Sequence, residues 1–191
     1  AATAGRTLTA SITGAVDVVT TGTESGSAAG GLQTIYGNVA INNTGTPLAG
    51  NIFAGDTNVV VFGFRLTPSL TIDFSAVTVT AAGTAGASDL SQFRIIYDVN
   101  SNGLYDVGES TVSTTNAHGA TMTFTMYGQT SFINVRRSLL VADVAAGATV
   151  GNTFTGSIAQ TNHVSSTGDE SGTATGNAMT NSGSSSIAGM Y

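Results

Sequence analysis

The stretch Val59-Val60-Val61-Phe62-Gly63-Phe64-Arg65-Leu66-Thr67-Pro68-Ser69-Leu70-Thr71-Ile72-Asp73-Phe74-Ser75-Ala76-Val77-Thr78-Val79 decides the fold class. Every second residue is apolar in two runs, Val60, Phe62, Phe64 and Leu66, then Leu70, Ile72 and Phe74. A period of two belongs to a strand with one buried face, whereas an amphipathic helix repeats every 3.6 residues. Pro68 cannot donate to a ladder and so ends the first strand. The second run changes phase to Val77 and Val79, which predicts a bulge or bend near Ser75–Ala76.

The same alternation recurs on both sides. Leu8, Ala10, Ile12, Gly14, Val16 and Val18 share one face near the start of the sequence. Further on come Phe93, Ile95 and Tyr97, then Met122, Phe124 and Met126 between threonines, then Leu139–Val144 and Thr153–Ile158. Gly, Asn, Ser and Thr fill the intervals as turn formers, and Ala145–Gly151 reads as a tight connection. Eight or more short strands at this spacing predict an all-β chain, a β-sandwich of jelly-roll or immunoglobulin-like kind. Residues 1–20 read as an N-terminal strand suited to donation, residues 21–164 as the sandwich, and residues 165–191 as a polar segment. That segment is expected to be a solvated edge or an end that orders on assembly.

Composition excludes several functions. Charged residues are 8% of the 191-residue chain, against about a quarter in an ordinary domain. There is no cysteine and no lysine; the cations are Arg6, Arg65, Arg94, Arg136 and Arg137. A formal charge of −6 is the wrong sign for nucleic acid and for anionic lipid. The longest apolar run, Val59–Phe64, is strand-sized, so no membrane span is expected. The hydroxyl-rich, charge-poor surface suits an extracellular or cell-surface protein.

Two distant segments repeat. Gly5–Gly30 aligns without gaps on Gly151–Gly176, pairing Thr7 with Thr153, Thr9 with Thr155, Ser11 with Ser157 and Ile12 with Ile158. The match runs on through Thr21-Gly22 and Thr167-Gly168, then Glu24-Ser25-Gly26 and Glu170-Ser171-Gly172. Either the two are similar edge strands of one sandwich, or the first is a strand for exchange. An apolar terminal strand that pairs with a neighbour's open edge is the physical recipe for donor-strand assembly. Head-to-tail pairing that does not close gives a filament.

One segment carries specific chemistry. In Asp98-Val99-Asn100-Ser101-Asn102-Gly103-Leu104-Tyr105-Asp106-Val107-Gly108-Glu109, oxygen side chains stand at the first, third and fifth positions. Gly103 stands at the sharp turn, Leu104 offers its carbonyl, Asp106 is ninth and Glu109 closes the loop at the twelfth. A hard cation needs six or more oxygens, and this spacing supplies them to Ca2+. The loop resembles the calcium loop of EF-hands and dockerins, although a strand precedes it and the residues after it are too rich in Thr and Ser for a helix. Loop, flanking strands and the run Leu139–Thr149 together resemble exported prokaryotic surface and filament proteins, over about Asn51–Ile158. TasA-like and camelysin-like fibres and archaeal bundling pili are of this kind. That resemblance implies a sandwich fold and, in some members, assembly by strand exchange.

Other candidates are weak. His118 and His163 lack partners at zinc spacing and are expected to face solvent. No G-x-S-x-G elbow is present, and carboxylates outside the loop are scattered in turns. No enzyme is expected. Asp73 and Asp143 fall inside strands, where either can pair with an arginine across a sheet. Asp169-Glu170 reads as a solvated turn or a second, weaker cation site. Asn42-Asn43-Thr44 is a glycosylation sequon. The leading expectation is a homo-oligomeric filament or surface-layer subunit stiffened by calcium; the alternative is a monomeric calcium-stabilised adhesin or carbohydrate-binding module.

Overall fold

A computed structural model describes residues 7–12, 28–34, 37–116, 118–127 and 131–184. The first described elements form an antiparallel hairpin, in which β1 (Thr7–Leu8) and β2 (Ser11–Ile12) pair with β4 (Gln33–Thr34) and β3 (Ala28–Ala29). Then follow β5 (Asn38–Asn43), β6 (Gly50–Ile52), β7 (Val59–Pro68), β8 (Ile72–Gly83), β9 (Leu90–Tyr97) and β10 (Thr111–Thr115). Next are β11 (Thr121–Thr125), β12 (Ser131–Phe132), β13 (Arg136–Val144) and β14 (Thr153–Ile158). A 3-10 turn at Thr161–His163 leads to β15 (Val164–Ser166), β16 (Asp169–Gly172), β17 (Ala174–Thr175) and β18 (Met179–Asn181). The protein is all-β, with no α-helix among the described residues.

Two sheets form the sandwich. One runs β10-β9-β13-β7-β5-β16; the other runs β11-β8-β14-β18-β6, with β12 and β15 also on β8 and β17 on β14. Pairing is antiparallel except at two edges, where β16 lies parallel to β5 and β18 parallel to β6. The layers meet through aromatic rings: Phe93 of β9 lies 5.9 Å from Phe154 of β14. Phe62, Phe64, Phe74, Phe93, Phe124 and Phe154 are all fully buried. Each such side chain contributes roughly 1.5–3 kcal/mol, so these six anchor the core.

The bulge expected near Ser75 is present. Ile72 and Phe74 face the core, then Val77 and Val79, and the pairing of β15 passes from Ala76 to Phe74 without using Ser75. A second bulge corrects the first stripe. In the pairing of β13 with β7, Leu140 stands opposite Phe62 and Val141 opposite Val60, so Val61 is extra. Val61 therefore joins Phe62 in the main core, while Val60 packs on the outer face with Ile96, Leu139, Val141 and Tyr105.

Two further expectations change. His118 does not face solvent: it is partly buried, its ring 5.6 Å from Phe93 and 6.2 Å from Phe154. The polar residues after Ser165 are built into both sheets as far as Asn181. Alternation could not reveal these strands, because each is only two to four residues long. Asp169-Glu170 lies in β16, where the Ser166 hydroxyl donates to Glu170 Oε1 at 2.6 Å. No helix is long and apolar enough to cross a membrane among the described residues.

Candidate cation loop and its supports

The loop Asp98–Glu109 closes the hairpin between β9 and β10, and both ends are fastened. Tyr97 N–H donates to Ser110 O at 3.2 Å, and Asp98 N–H to Arg137 O of the neighbouring strand, also at 3.2 Å. Asp98 is only 4% exposed. Its Oδ1 accepts from Asn102 N–H at 3.1 Å and its Oδ2 from Gly103 N–H at 3.0 Å, which folds the chain into a turn. Gly103 has φ +77°, a conformation that favours glycine, and Thr46 closes over it from the Thr44–Pro47 turn. A Cβ on Gly103 would lie 2.7 Å from Thr46 Cγ2.

Side chains wind inward in the same sense. Asn100 Oδ1 accepts from Asn102 N–H at 3.1 Å, and Asn102 Oδ1 from Leu104 N–H at 2.8 Å. Both amides donate to one atom, Asp106 Oδ2, each at 2.7 Å. Glu109 spans the loop, its Oε1 accepting from Val99 N–H and its Oε2 from Asp106 N–H, each at 3.1 Å. Tyr105 folds back on the outer face of the sheet, over Ile96, Leu139 and Val141.

Five of the expected ligands are thus tied by hydrogen bonds inside one loop, with Asp106 at the focus of the two asparagines. Leu104 is placed by its N–H. The three carboxylates do not form a tight cluster, and among the described residues no group of three or more His, Cys, Asp or Glu is gathered as for a metal. The donor set nonetheless fits a hard cation. Each Asx oxygen that takes one backbone N–H keeps a second lone pair, and a cation would compete with the two amides for Asp106.

Polar residues elsewhere support the fold. Asp89, 3% exposed, accepts from Thr149 N–H at 2.7 Å, Gly86 N–H at 2.8 Å and Asn152 Nδ2 at 3.0 Å. The Gly86 and Thr149 N–H groups hold its carboxyl below the ordinary value, against the opposing cost of burial. Spacing did not distinguish Asp89 from other turn acids; its place after Gly86-Ala-Ser, a local side-chain-to-backbone turn, was the available signal. Arg94 pairs with Asp143 at 2.6 Å, while Asp73 is exposed and makes no ion pair among the described residues. Arg136 lies over the rings of Tyr97 and Phe132, 4.5 and 4.7 Å from their centroids. Asn42 is half-buried in β5, opposite Arg65. A cleft of about 630 Å³ separates the Thr46–Leu48 turn from the loop, floored by Val60 and Tyr105.

No family model matches the chain, and no curated protein matches it. Among solved structures, a DUF4466 family protein from Parabacteroides merdae is similar at 18% identity. It has a TM-score of 0.34 and covers 69% of this chain. The chain spans 42% of that protein's length. The all-β assignment rests on the chain's own ladders.

Proposed function

We propose that this chain is a structural building block of an extracellular filament, pilus-like fibre or surface layer. Its sandwich is stiffened by Ca2+ at Asp98, Asn100, Asn102, Leu104, Asp106 and Glu109, and joins other sandwiches by β-strand addition. One observation carries the reading: the hairpin β1–β4 belongs to neither sheet of the sandwich. Thr9, Ala10, Ser11 and the residues from Ala28 to Gln33 are exposed. A two-stranded hairpin alone is marginal in water, and its free edges are templates for pairing. Support for the calcium role is the fastening of both loop ends, which makes the loop a staple between strands.

Negative-stain microscopy of the purified chain, with and without chelator, tests this. Fibres or sheets that weaken on chelation are expected; a monodisperse monomer at every concentration would overturn the assembly reading. The cleft beside the loop favours the second reading, a monomeric adhesin or carbohydrate-binding module. Under it, a monomer would bind glycan and lose that binding on Tyr105→Ala.

A further inference from the structure

The two repeated segments share more than sequence. In the N-terminal hairpin Thr7 stands opposite Thr34, Leu8 opposite Gln33, Ser11 opposite Ala29 and Ile12 opposite Ala28. In the sandwich Thr153 stands opposite Thr180, Phe154 opposite Met179, Ser157 opposite Thr175 and Ile158 opposite Ala174. One fixed offset converts every pair of the first set into a pair of the second. The irregular bond between the two ladders repeats as well: Gly30 N–H donates to Ala10 O at 2.8 Å, and Gly176 N–H to Gly156 O at 2.9 Å. The described residues 7–12 and 28–34 are thus paired as residues 153–158 and 174–180 are in the unit that closes the eight-stranded sheet.

The sandwich copy shows what such a unit is made to cover. Its β14 pairs with β8 through Thr155 opposite Ala82 and Ser157 opposite Thr80, and its β18 lies beside β6. Three glycines of the unit leave no room for a side chain. A Cβ on Gly168 would meet Gly37 O at 2.5 Å, one on Gly172 would meet Ile41 O at 2.5 Å, and one on Gly176 would meet Phe62 Cδ2 at 2.8 Å. The N-terminal copy has glycine at all three places, Gly22, Gly26 and Gly30. A sandwich imposes that requirement.

One place differs in a way that selects the partner. Gly156 becomes Ala10, and a Cβ on Gly156 would lie 2.8 Å from Phe62 Cβ and 3.0 Å from its Cγ. Both atoms are at the root of a fully buried side chain and cannot swing away. Buried Met179 is also replaced, by Gln33. The N-terminal unit is therefore cut for a sandwich other than the one that follows it.

We propose that residues 7–34 are the closing hairpin of a second β-sandwich of this fold, not a copy of this one, which gives Ala10 the room that Phe62 denies here. This goes beyond the reading above and narrows it: a hairpin cut for another sandwich does not join copies of this chain, so fibres of the purified chain alone would be joined at other edges. Transplanting residues 7–34 over residues 153–180 in the full chain tests it, with and without Ala10→Gly in the transplanted segment. The Ala10→Gly transplant should unfold cooperatively with the parent's spectrum, and the transplant that keeps Ala10 should melt lower. Failure of the Ala10→Gly transplant to fold would overturn the closing-hairpin assignment; equal melting of the two would overturn the claim that another sandwich is meant. A further arm uses the cysteine-free background. Ser157→Cys with Thr80→Cys should cross-link within one chain, whereas Ser11→Cys with Thr80→Cys should give no interchain disulfide. An interchain disulfide would seat the hairpin in a second copy and overturn the proposal, even where microscopy shows fibres. Absence of fibres with both transplant results as expected would overturn only the filament reading.

Discussion

Asp89 Oδ1 accepts the Thr149 N–H at 2.7 Å across the gap between two connections, tying the start of β9 to the turn that launches β14. Asp89→Asn should therefore destabilise the chain by about 2–3 kcal/mol, since a neutral amide replaces a buried acceptor of several N–H bonds. The folded carboxyl lies below its ordinary 3.8. Its contribution is thus present above that value and lost as pH falls through the folded value. Urea midpoints of parent and variant at pH 7 should differ, and converge in strong acid.

His118 gives a second acid-linked step at milder pH. Burial beside Phe93 and Phe154 pushes its imidazole below 6.5, and the Asp89 charge pulls it partly back. A base with a depressed folded value favours the fold above 6.5 and loses that contribution as pH falls further. Melting temperature should drop between pH 7 and pH 5, and His118→Phe should flatten that drop. An unchanged slope in the variant would show that His118 is not the group titrating.

Asp143 does two tasks and Arg94 one. Asp143 Oδ1 takes Arg94 Nη2 at 2.6 Å and Asn58 N–H at 2.9 Å, and Asn58 has φ +58°. Both members of the ion pair are about a quarter exposed, 22% and 24%, which limits its worth. Arg94→Met should cost about 1 kcal/mol and Asp143→Ala about 2, because the second also strands the Asn58 turn. Raising the salt should shrink both differences by a similar amount, leaving in Asp143→Ala the part that comes from the Asn58 N–H bond.

What the sequence made legible followed periodicity. Thr153–Ile158 alternates over its whole length, Phe93, Ile95 and Tyr97 alternate within β9, Leu139–Val144 stands out as an apolar run, and the phase flip at Ser75 marked its bulge. Val60 was assigned to the wrong face because the extra residue, Val61, is apolar like its neighbours, so the bulge left no break in pattern. The short strands β16 and β18 were hidden because each pairs in parallel with a strand distant in sequence, β5 and β6. In the candidate loop, spacing brought Asn100, Asn102 and Asp106 together, but no spacing rule marks Thr46, whose contact over Gly103 depends on tertiary structure.

The loop's calcium role is separable from its hydrogen bonds by the calcium dependence of melting. Glu109 accepts N–H bonds from Val99 and Asp106 whether or not an ion is bound, so Glu109→Ala would weaken the loop under either hypothesis. Glu109→Gln removes the charge a divalent ion needs and keeps one of the two N–H bonds, while its amide NH2 gives up the other. Calcium binds the folded loop and scarcely the unfolded chain, so the parent should gain about 2.7 kcal/mol when free calcium is a hundredfold above its dissociation constant. The gain should vanish with chelator and be largely lost in Glu109→Gln and Asp98→Asn, while without calcium Glu109→Gln should melt somewhat below the parent through the one N–H bond it loses, so the calcium-dependent difference is the reading that reports the ion. Calorimetric scans with calcium, with magnesium and with chelator decide the matter. A parent midpoint that ignores calcium throughout would leave the loop as a hydrogen-bonded hairpin closure, with the amides of Asn100 and Asn102 as the partners of Asp106.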